Sequence, residues 1–312
     1  MDMKNRKELA PIVVFTYCRK KNTVETITSL LGNDEAAYTD LIVYSDAPKN
    51  DKAIDKVTET RNYLQSINGF KSIRIIEREQ NFGLAKNIMT GVTDVVNEYG
   101  RAIILEDDMT VSKYFLRYMN DGLERYKDNP QVASIHGYIY PTEMNSNLPE
   151  TFFIKGADCW GWATWKRAWD CFTPDARYLY NEIKKKNLIK EFEFDYSYGY
   201  YTMLKRQING KANSWAVCWY ASAFIKNMLT LYPNQPMVIL NGLDGEGSTH
   251  GENENQQKYA TVLRQQPIES FPTGDNVVEN KMGRRCFKRF FLKDLTLHNK
   301  LAYFLRCFGI RP

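Results

Sequence analysis

The sequence predicts an α/β fold organised around a Rossmann-like sheet, and three observations support this prediction. Four short apolar runs alternate with helical patterns between Pro11 and Leu105, which is typical of parallel strands joined by right-handed helical crossovers. The fourth apolar run, Ala102 to Leu105, stops at three consecutive acidic residues. No Gly-x-Gly-x-x-Gly or P-loop motif follows the first run, so dinucleotide-binding and P-loop folds are disfavoured.

Each element of the first half is justified by its own pattern. Short runs of apolar residues indicate strands that are buried on both faces. Asn22 and Glu25 have the spacing of a capping box at the start of the first helix, and Gly32 marks its end. The predicted strands are 11–16, 41–45, 72–76 and 102–105, and the helices between them cover about 22–31, 51–66 and a stretch entered through 81–85.

The second half alternates less regularly. It contains two amphipathic helical patterns and three strand-like runs, which extend the sheet. The predicted elements are a helix over about 113–126, a strand over 131–140, a helix through Tyr201, Leu204 and Ile208, and a strand pair formed by 229–233 and 237–240.

Composition describes an ordinary globular chain with scattered cysteines. The 312 residues, 43% of them hydrophobic, suit one large α/β domain or two joined halves. No apolar run is long enough to span a bilayer, and the polar start, Met1 to Ala10, has no secretory signal. The six cysteines contain no Cys-x-x-Cys pair, which argues against a zinc site or a disulfide framework. We therefore expect a reducing, cytoplasmic location.

The positive charge is concentrated at the C-terminus. From Lys281 onward there are nine basic residues against one acid, Asp294. Subtracting these from the 42 basic and 37 acidic residues of the chain leaves 33 and 36, so the body carries about −3. A slightly acidic body argues against a nucleic-acid-binding surface.

The acidic triplet Glu106, Asp107 and Asp108 is the strongest candidate site. Unpaired charges at the end of a buried strand are expensive, and a divalent cation compensates them. Mg²⁺ or Mn²⁺ prefers one or two carboxylates together with substrate phosphate oxygens, and ligands of open α/β sheets bind at the carboxyl ends of the strands. The alternative is a solvated acidic loop that caps a helix beginning near Ser112.

Tryptophans mark a second candidate region. All six lie between Trp160 and Trp219. Trp162, Trp165 and Trp169 recur at helical spacing, and Trp165 and Trp169 are predicted to be core residues. Trp160, Trp162 and Trp215 adjoin glycine or polar residues, where an indole face is available to a sugar ring.

Two polar segments complete the set of candidates. Asp195 is expected near the N-terminus of the helix through Tyr201, where it caps that helix or acts chemically. The run 241–251 contains four glycines together with Asp244 and His250, and it is predicted to fold over a diphosphate and its metal. A plain surface turn is the alternative.

Taken in order, these motifs resemble the GT-A glycosyltransferases, and within them the N-acetylglucosaminyltransferase I-like group and its bacterial family 2-type relatives in surface-polysaccharide synthesis. The resemblance rests on the DXD-like triplet 106–108, on Gly161-Trp162 and on 245–251, and it covers most of 11–251. It implies a GT-A fold with a mixed central sheet. The implied divisions are a nucleotide-sugar-binding half, 1–111, an acceptor-binding and catalytic half, 112–275, and a basic amphipathic tail, 276–312.

The resemblance also implies a role for each matching residue. Asp108 is the direct metal ligand and His250 a possible second one, Asp195 occupies the position of the catalytic base, and 248–251 belong to a loop that orders over the donor. The implied donor-binding residues are Thr16, Tyr17, Arg19 near the diphosphate, Asp46 at the uracil, Asn81, Lys86, Glu106 and Asp107. The implied acceptor-binding residues are Trp160, Trp162, Trp215 and Asp244.

The implied activity is metal-dependent, inverting transfer of a sugar from a UDP-sugar to a saccharide or lipid-linked saccharide. Mn²⁺ or Mg²⁺ neutralises the leaving diphosphate, and Asp195 takes the proton of the attacking hydroxyl, with Glu193 and Asp244 as alternative bases. Two other classes stay open from the residues alone. One is a nucleotidyltransferase acting on sugar phosphates, and the other is a non-catalytic carbohydrate-binding protein.

The C-terminal tail combines cations with a helical apolar stripe. This pattern predicts either a helix packed on the core or a helix lying on an anionic membrane surface. The second possibility places the protein on the inner face of a bacterial plasma membrane, beside a lipid-linked acceptor. The stripe consists of Phe287, Phe290, Phe291, Leu295, Leu301, Phe304, Leu305 and Phe308.

Overall fold

The structure is a computed structural model that describes residues 8–241, 261–293 and 303. Its described strands are β1 Ile12–Thr16, β2 Asp40–Ser45, β3 Ser72–Glu77, β4 Arg101–Glu106, β5 Met109–Val111, β6 Val132–His136, β7 Thr151–Lys155, β8 Trp162–Trp165, β9 Leu229–Pro233 and β10 Val238–Leu240. Its described α-helices are α1 Lys20–Leu31, α2 Ile54–Leu64, α3 Gly83–Tyr99, α4 Phe115–Arg125, α5 Lys166–Trp169, α6 Ala176–Lys185, α7 Ile189–Phe192, α8 Tyr200–Ile208, α9 Trp215–Ile225 and α10 Lys281–Lys293.

Eight strands form one mixed sheet in the order β3-β2-β1-β4-β8-β6-β9-β7. The first four are parallel, and β8 is antiparallel to both of its neighbours, β4 and β6. Strand β9 is parallel to β6, and β7 closes the sheet as an antiparallel edge. The predicted α/β fold with a mixed GT-A-like sheet is confirmed. Chain order reverses between β1 and β4, so the switch point where ligands bind lies between them.

Burial explains the regularity of the first half. Every residue of β1 is buried, and β2 and β4 are buried over their apolar stretches, which is why they appear in the sequence as continuous apolar runs. Helix α3 packs closely on this sheet at Gly91, where a Cβ atom would lie 2.6 Å from the ring of Phe15. A side chain at this position would push the helix away from the strand.

Helix α1 begins earlier than predicted. Its first residue is Lys20 and its N-cap is Arg19, with no side-chain cap, so the Asn22–Glu25 capping prediction was wrong. The side chain of Arg19 is turned instead toward the acids that follow β4. Glu25 accepts a hydrogen bond from the Asn241 amide at 3.1 Å.

The tryptophan segment is a strand followed by the short helix α5, although its tryptophans recur at helical spacing. Residues Trp162–Trp165 form β8, whose partners are β4 on one side and β6 on the other. The indole of Trp162 is 1% exposed. It packs within 5.8 Å, between ring centroids, of Trp169, Trp215 and Trp219. Trp165 and Trp169 are buried, as predicted.

The expected pairing of 229–233 with 237–240 was also wrong. Strand β9 joins the main sheet, whereas β10 pairs antiparallel with β5, a three-residue strand directly after the acidic triplet. The backbone N–H of Asn241 then donates to the carbonyl oxygen of Asp108 at 2.7 Å. The end of β10 is thereby fixed beside the candidate metal ligand.

Helix α10 packs on the domain, which agrees with the first of the two alternatives predicted for its apolar stripe. Phe287, Phe290 and Phe291 are 2–4% exposed, and Gly283 lies against Phe152 and Ile154 of β7. The apolar face of α10, which the sequence left available to lipid, is therefore buried against the protein core. Leu295, Leu301, Phe304, Leu305 and Phe308 lie outside the described residues. Among the described residues, no helix combines the length and apolar character needed to traverse a bilayer.

Candidate functional site

The candidate site lies where the carboxyl ends of β1, β2 and β4 meet. Phe15 pairs with Glu106 and Thr16 pairs with Ser45, so the residues that follow these strands share one edge of the sheet. The structure therefore brings together the predicted donor-side residues from three separate stretches of sequence. This edge is also the topological switch point.

Asp107 organises the turn after β1. Its buried carboxylate accepts hydrogen bonds from the Thr16 hydroxyl at 3.0 Å and the Tyr17 backbone N–H at 3.3 Å. It also forms an ion pair with Arg19. With its side chain only 3% exposed, Asp107 is committed to the protein. Its implied role in binding the donor is therefore replaced by a role in holding Arg19 and the turn after β1.

Arg19 bridges two acids of the triplet. Besides Asp107, its guanidinium contacts the Asp108 carboxylate at 3.1 Å. Burial alone would lower the pKa of Arg19, but the two aspartates more than offset this and hold it above its ordinary value. Asp108 forms an ion pair with Arg19 and keeps 20% of its side chain exposed. Its carboxylate is therefore accessible to a ligand.

The triplet carries more negative charge than Arg19 neutralises. Burial, and then the nearby Asp108 and Asp107, raise the pKa of Glu106 to about 8. Burial likewise raises the pKa of Asp107, although Arg19 opposes the shift. Even with Glu106 protonated, Asp107 and Asp108 carry two negative charges against the single charge of Arg19. This surplus suits a divalent cation of the Mg²⁺ or Mn²⁺ type.

The donor set fits a cation that shares its coordination with a substrate. Within residues 8–241, 261–293 and 303, no group of three or more His, Cys, Asp or Glu side chains converges on one metal position. An accessible carboxylate with phosphate oxygens is, however, the usual arrangement for Mg²⁺-type ions at nucleotide sites. His250, Asp244 and 248–251, which were predicted to join this site, lie outside the described residues.

Asp46 was predicted to bind uracil, but its carboxylate accepts hydrogen bonds from within the protein instead. Its carboxylate accepts hydrogen bonds from the backbone N–H groups of Ala47, Phe82 and Gly83 at 2.8–2.9 Å. The Asn81 amide donates a fourth at 3.2 Å. A carboxylate has about four lone-pair positions, so none is left for uracil. Asp46 instead holds the loop that leads into α3.

The other predicted donor residues line the same edge. The hydroxyl of Tyr17 accepts a hydrogen bond from the Lys49 backbone N–H at 3.0 Å. Asn81 donates to the Ala47 carbonyl at 2.7 Å, and the ammonium of Lys86 lies 4.1 Å from the centroid of the Phe82 ring. These contacts keep the side chains near Asp46 at the end of β2, which β1 separates from the acidic triplet at the end of β4.

Arg61 is a structural residue of this edge that the sequence did not reveal. Its guanidinium donates to the carbonyl oxygens of Ser45, Asp46 and Arg78 at 3.0–3.4 Å, and it forms an ion pair with Glu77 at 3.0 Å. It therefore joins the ends of β2 and β3. A lone arginine in a polar helix gives no signal of such a role.

Asp195 is not at a helix N-terminus, contrary to the prediction. Helix α8 begins at Tyr200, and it is Glu193 whose carboxylate accepts from the Tyr201 backbone N–H at 3.2 Å. Asp195 contacts Lys288 of α10 at 3.1 Å and is 34% exposed. Phe194, Asp195 and Tyr196 all have positive φ, 48–66°. Consecutive non-glycine residues in this region are strained, which is more frequent at functional sites.

The structure separates the three tryptophans predicted to bind the acceptor. Trp162 and Trp215 are 1% and 5% exposed and belong to the core, so their assignment to a sugar-binding surface was wrong. Neighbouring indoles cover the faces that a sugar ring would need. Trp160 is partly exposed. Its ring lies 5.0 Å from Tyr138 and 6.2 Å from Tyr140, between centroids.

Comparison with known proteins gives one family match. The family model described as glycosyl transferase family 2 matches residues 12–173, slightly more than half of the chain. No curated protein matches the chain.

Two solved structures are distantly similar to the chain. The crystal structure of S. aureus TarS 1–349 aligns with 14% identity and a TM-score of 0.33, covering 57% of this chain and 49% of that one. The mannosyltransferase PcManGT from Pyrobaculum calidifontis, in complex with GDP-Man and Mn²⁺, aligns with 12% identity and a TM-score of 0.29, covering 45% and 40%. The chain thus spans about half of these relatives or less.

Proposed function

The chain belongs to glycosyl transferase family 2 and is a glycosyltransferase, and from that premise we propose that it transfers a sugar from a UDP-sugar, with inversion, to a saccharide or lipid-linked saccharide. The observation that carries this proposal is the acidic triplet at the end of β4, bridged by Arg19 and left with surplus negative charge. We propose that the product enters a bacterial surface polysaccharide. The nucleotidyltransferase and non-catalytic alternatives are not carried forward, because the family match is to transferases of sugars.

The donor side is assigned from the geometry of the β1, β2 and β4 edge. Asp108 is an accessible carboxylate that would hold the metal ion, while Asp107 keeps Arg19 and the turn after β1 in position. Arg19 is the cation nearest to the proposed diphosphate site. Asp46 supports Asn81 and the start of α3 and does not itself contact the base.

A divalent cation, when bound, would supply the charge that stabilises a departing diphosphate. The residues of this chain do the remaining work. Asp108 would hold such a cation, and the guanidinium of Arg19, which contacts Asp107 and Asp108, would face the donor phosphates. Burial and the two aspartates raise the pKa of Glu106 to about 8, so Glu106 is proposed to carry a proton at neutral pH.

Asp195 is retained as the proposed base. Its carboxylate pairs with Lys288 at 3.1 Å, lies 4.0 Å from the Arg284 guanidinium and remains 34% exposed. Its left-handed backbone is held by Phe194, whose ring packs 6.0 Å from Phe287. In the proposed reaction an acceptor hydroxyl attacks C1 of the donor sugar from the face opposite the diphosphate. The C1–O bond to phosphate breaks, and the hydroxyl proton passes to the carboxylate.

The proposed location at an anionic membrane surface rests on charge rather than on apolar insertion. Lys281, Arg285, Arg289 and Lys293 recur every four residues along α10 and are all exposed. Within the described residues none of the four forms an ion pair, and the helix itself contains no acid. They form a basic ridge about 18 Å long. Each cation contributes about 1 kcal/mol near an anionic leaflet.

The ridge is tested by cosedimentation with vesicles. Wild type should bind phosphatidylglycerol vesicles at low salt, lose this binding at high salt and show no binding to phosphatidylcholine vesicles. Replacing the four cations of the ridge by glutamine should abolish binding to phosphatidylglycerol vesicles. A control variant carries four substitutions on other exposed lysines, Lys52, Lys56, Lys184 and Lys185→Gln. Equal binding by the ridge variant and this control would contradict the membrane assignment.

The activity is tested by donor hydrolysis without acceptor. Wild type is incubated with UDP-, GDP-, dTDP- and CMP-sugars, with Mn²⁺ or with EDTA, and nucleotide release is measured. We expect release from a UDP-sugar only with the metal. Asp108→Asn should lower it by a factor of about 100 or more, because one charged ligand is lost. The matched control is Glu59→Gln, an exposed acid paired with Lys20.

Each outcome of this assay is informative. Release from a GDP- or dTDP-sugar in place of the UDP-sugar would overturn the donor assignment but keep the site. Undiminished release by Asp108→Asn, or in EDTA, would overturn the metal assignment. Asp195→Asn should bind UDP as wild type does and lose transfer, and full transfer by this variant would remove Asp195 as the base.

A further inference from the structure

A second polar cluster surrounds Asp158, which lies between β7 and β8. Its carboxylate accepts a hydrogen bond from the Cys159 backbone N–H at 2.8 Å. The hydroxyl groups of Tyr232 and Tyr140 donate to it at 3.2 and 3.5 Å. The side chain is nevertheless 18% exposed. Asp158 is therefore a carboxylate held firmly from behind with part of its surface open.

His136 is the unexplained member of this cluster. The ring is completely buried, and neither of its nitrogens has a hydrogen-bond partner in the described part of the chain. Its Nε2 lies 3.7 Å from the Asp158 carboxylate, slightly beyond hydrogen-bond range. Burial lowers the pKa of His136, which keeps the ring neutral. Buried polar groups are rarely left without a hydrogen-bond partner. The pair formed by His136 and Asp158 is therefore incomplete without a further polar group.

The cluster lies on the same edge of the sheet as the acidic triplet. Strands β4, β6 and β9 point the same way, since β8 is antiparallel to both β4 and β6 and β9 is parallel to β6. Trp162 of β8 pairs with Ile104 on one side and His136 on the other, which separates β4 from β6 by about 10 Å. Desolvation raises the pKa of Cys159, a residue of intermediate exposure, and Asp158 and Glu106 raise it further, so this residue lies near both acids.

Trp160 adds an apolar surface two residues from Asp158. It packs against Tyr138 and Tyr140 and remains partly exposed. A carboxylate accepts hydrogen bonds from vicinal hydroxyl groups, and a flat indole covers the C–H face of a sugar ring. Together they have the two kinds of contact that a neutral saccharide requires.

We propose that Asp158 and Trp160 form a binding subsite for the acceptor saccharide, with His136, Tyr140 and Tyr232 as positioning residues behind the carboxylate. The inference rests on the proposed glycosyltransferase function and names the place where its second substrate binds. Glu106 and Asp108 mark the donor side, and Asp158 lies about two strands away along the same edge. An acceptor hydroxyl donating to Asp158 is held beside the donor without any chemical step at Asp158 itself.

The subsite is tested with the UDP-sugar that wild type hydrolyses and a panel of p-nitrophenyl hexosides as acceptor probes. For the best probe, Asp158→Asn should raise the acceptor KM about 10- to 100-fold, the range expected when a hydrogen bond to a charged group is lost. Acceptor-independent donor hydrolysis and UDP affinity should be unchanged. Trp160→Ala should raise the same KM, and Tyr232→Phe should raise it by a smaller factor.

Three controls separate binding from folding. Asp170→Asn removes an exposed carboxylate that pairs with Lys166 on the surface, and it should leave the acceptor KM at the wild-type value. Asp158→Glu keeps the charge and should recover part of the lost acceptor affinity, which a purely structural role would not predict. The urea midpoint of each variant is measured alongside.

The outcomes distinguish this inference from the function on which it rests. If wild type hydrolyses no nucleotide sugar, both proposals fail. If hydrolysis is normal but Asp158→Asn and Trp160→Ala keep the wild-type acceptor KM, the subsite is wrong and the glycosyltransferase assignment stands. An equal loss of hydrolysis and transfer in Asp158→Asn would also overturn the subsite, because it would place Asp158 on the donor side.

Discussion

Replacing Phe287 by alanine tests whether α10 belongs to the folded core. The ring is 2% exposed, and its centroid lies 5.0 Å from those of both Tyr140 and Tyr232. Truncation removes the transfer free energy of the ring and leaves a cavity between these neighbours, and the two effects together cost about 3–5 kcal/mol. We expect the free energy of unfolding to fall by that amount.

The measurement is urea unfolding followed by tryptophan fluorescence and far-UV circular dichroism, with linear extrapolation to water. The matched control is Met282→Ala on the exposed side of the same helix, where the side chain is 38% exposed. It should change the free energy of unfolding by less than about 0.5 kcal/mol. A Phe287→Ala protein with the midpoint and slope of wild type would refute the packing of α10 and leave its apolar face available to lipid.

Two further predictions concern the acid-rich edge. The pKa of Glu106 is about 8 in the folded protein against an ordinary 4.5. Between pH 5 and 8 the folded protein therefore keeps a proton that the unfolded chain has lost, and the free energy of unfolding falls as the pH rises. This residue lowers it by at most about 5 kcal/mol. Glu106→Gln should therefore gain stability relative to wild type across this window in urea titrations without metal, and a pH-independent difference would contradict the reasoning. Asp46→Ala, which removes the acceptor of four hydrogen bonds, should lower the free energy of unfolding by about 2–4 kcal/mol, whereas the exposed Asp34→Ala should change it by less than about 0.5 kcal/mol.

The first half of the fold was predictable because its strands are buried on both faces. Such strands appear in the sequence as unbroken apolar runs, and their crossover helices end at recognisable residues such as Gly32. The acids were found for a related reason, since charge at the end of a buried run is conspicuous. Local sequence is sufficient where each element carries its own signal.

The errors arose where partners come from distant parts of the chain. Strand β5 has three residues, and its partner β10 is 127 positions later, so neither has a local pattern. Trp162 and Trp165 are three residues apart, a spacing that suits a helix as well as a four-residue strand. The four donors that surround Asp46 are mostly backbone N–H groups, which no residue type reveals.

The cluster at Asp158 was missed for the same physical reason. His136 and Tyr232 belong to β6 and β9, and Asp158 belongs to the connection that follows β7. His136 is a polar residue at the carboxyl end of an apolar strand, as Glu106 is. This position was the signal in the sequence that could have revealed it. The predicted strand ran through to Tyr140, and this extension concealed where β6 ends.

The position of β8 limits how the protein can be recombined with its relatives. Residues 162–165 come from the second half of the chain, yet they hydrogen-bond to β4, a strand within the first 111 residues. A chimera joined after Val111 would place a foreign strand against the β4 edge and would deprive β5 of its partner β10. Exchange of donor specificity between such enzymes therefore requires grafting side chains onto the intact sheet, since the first 111 residues are not a self-contained cassette.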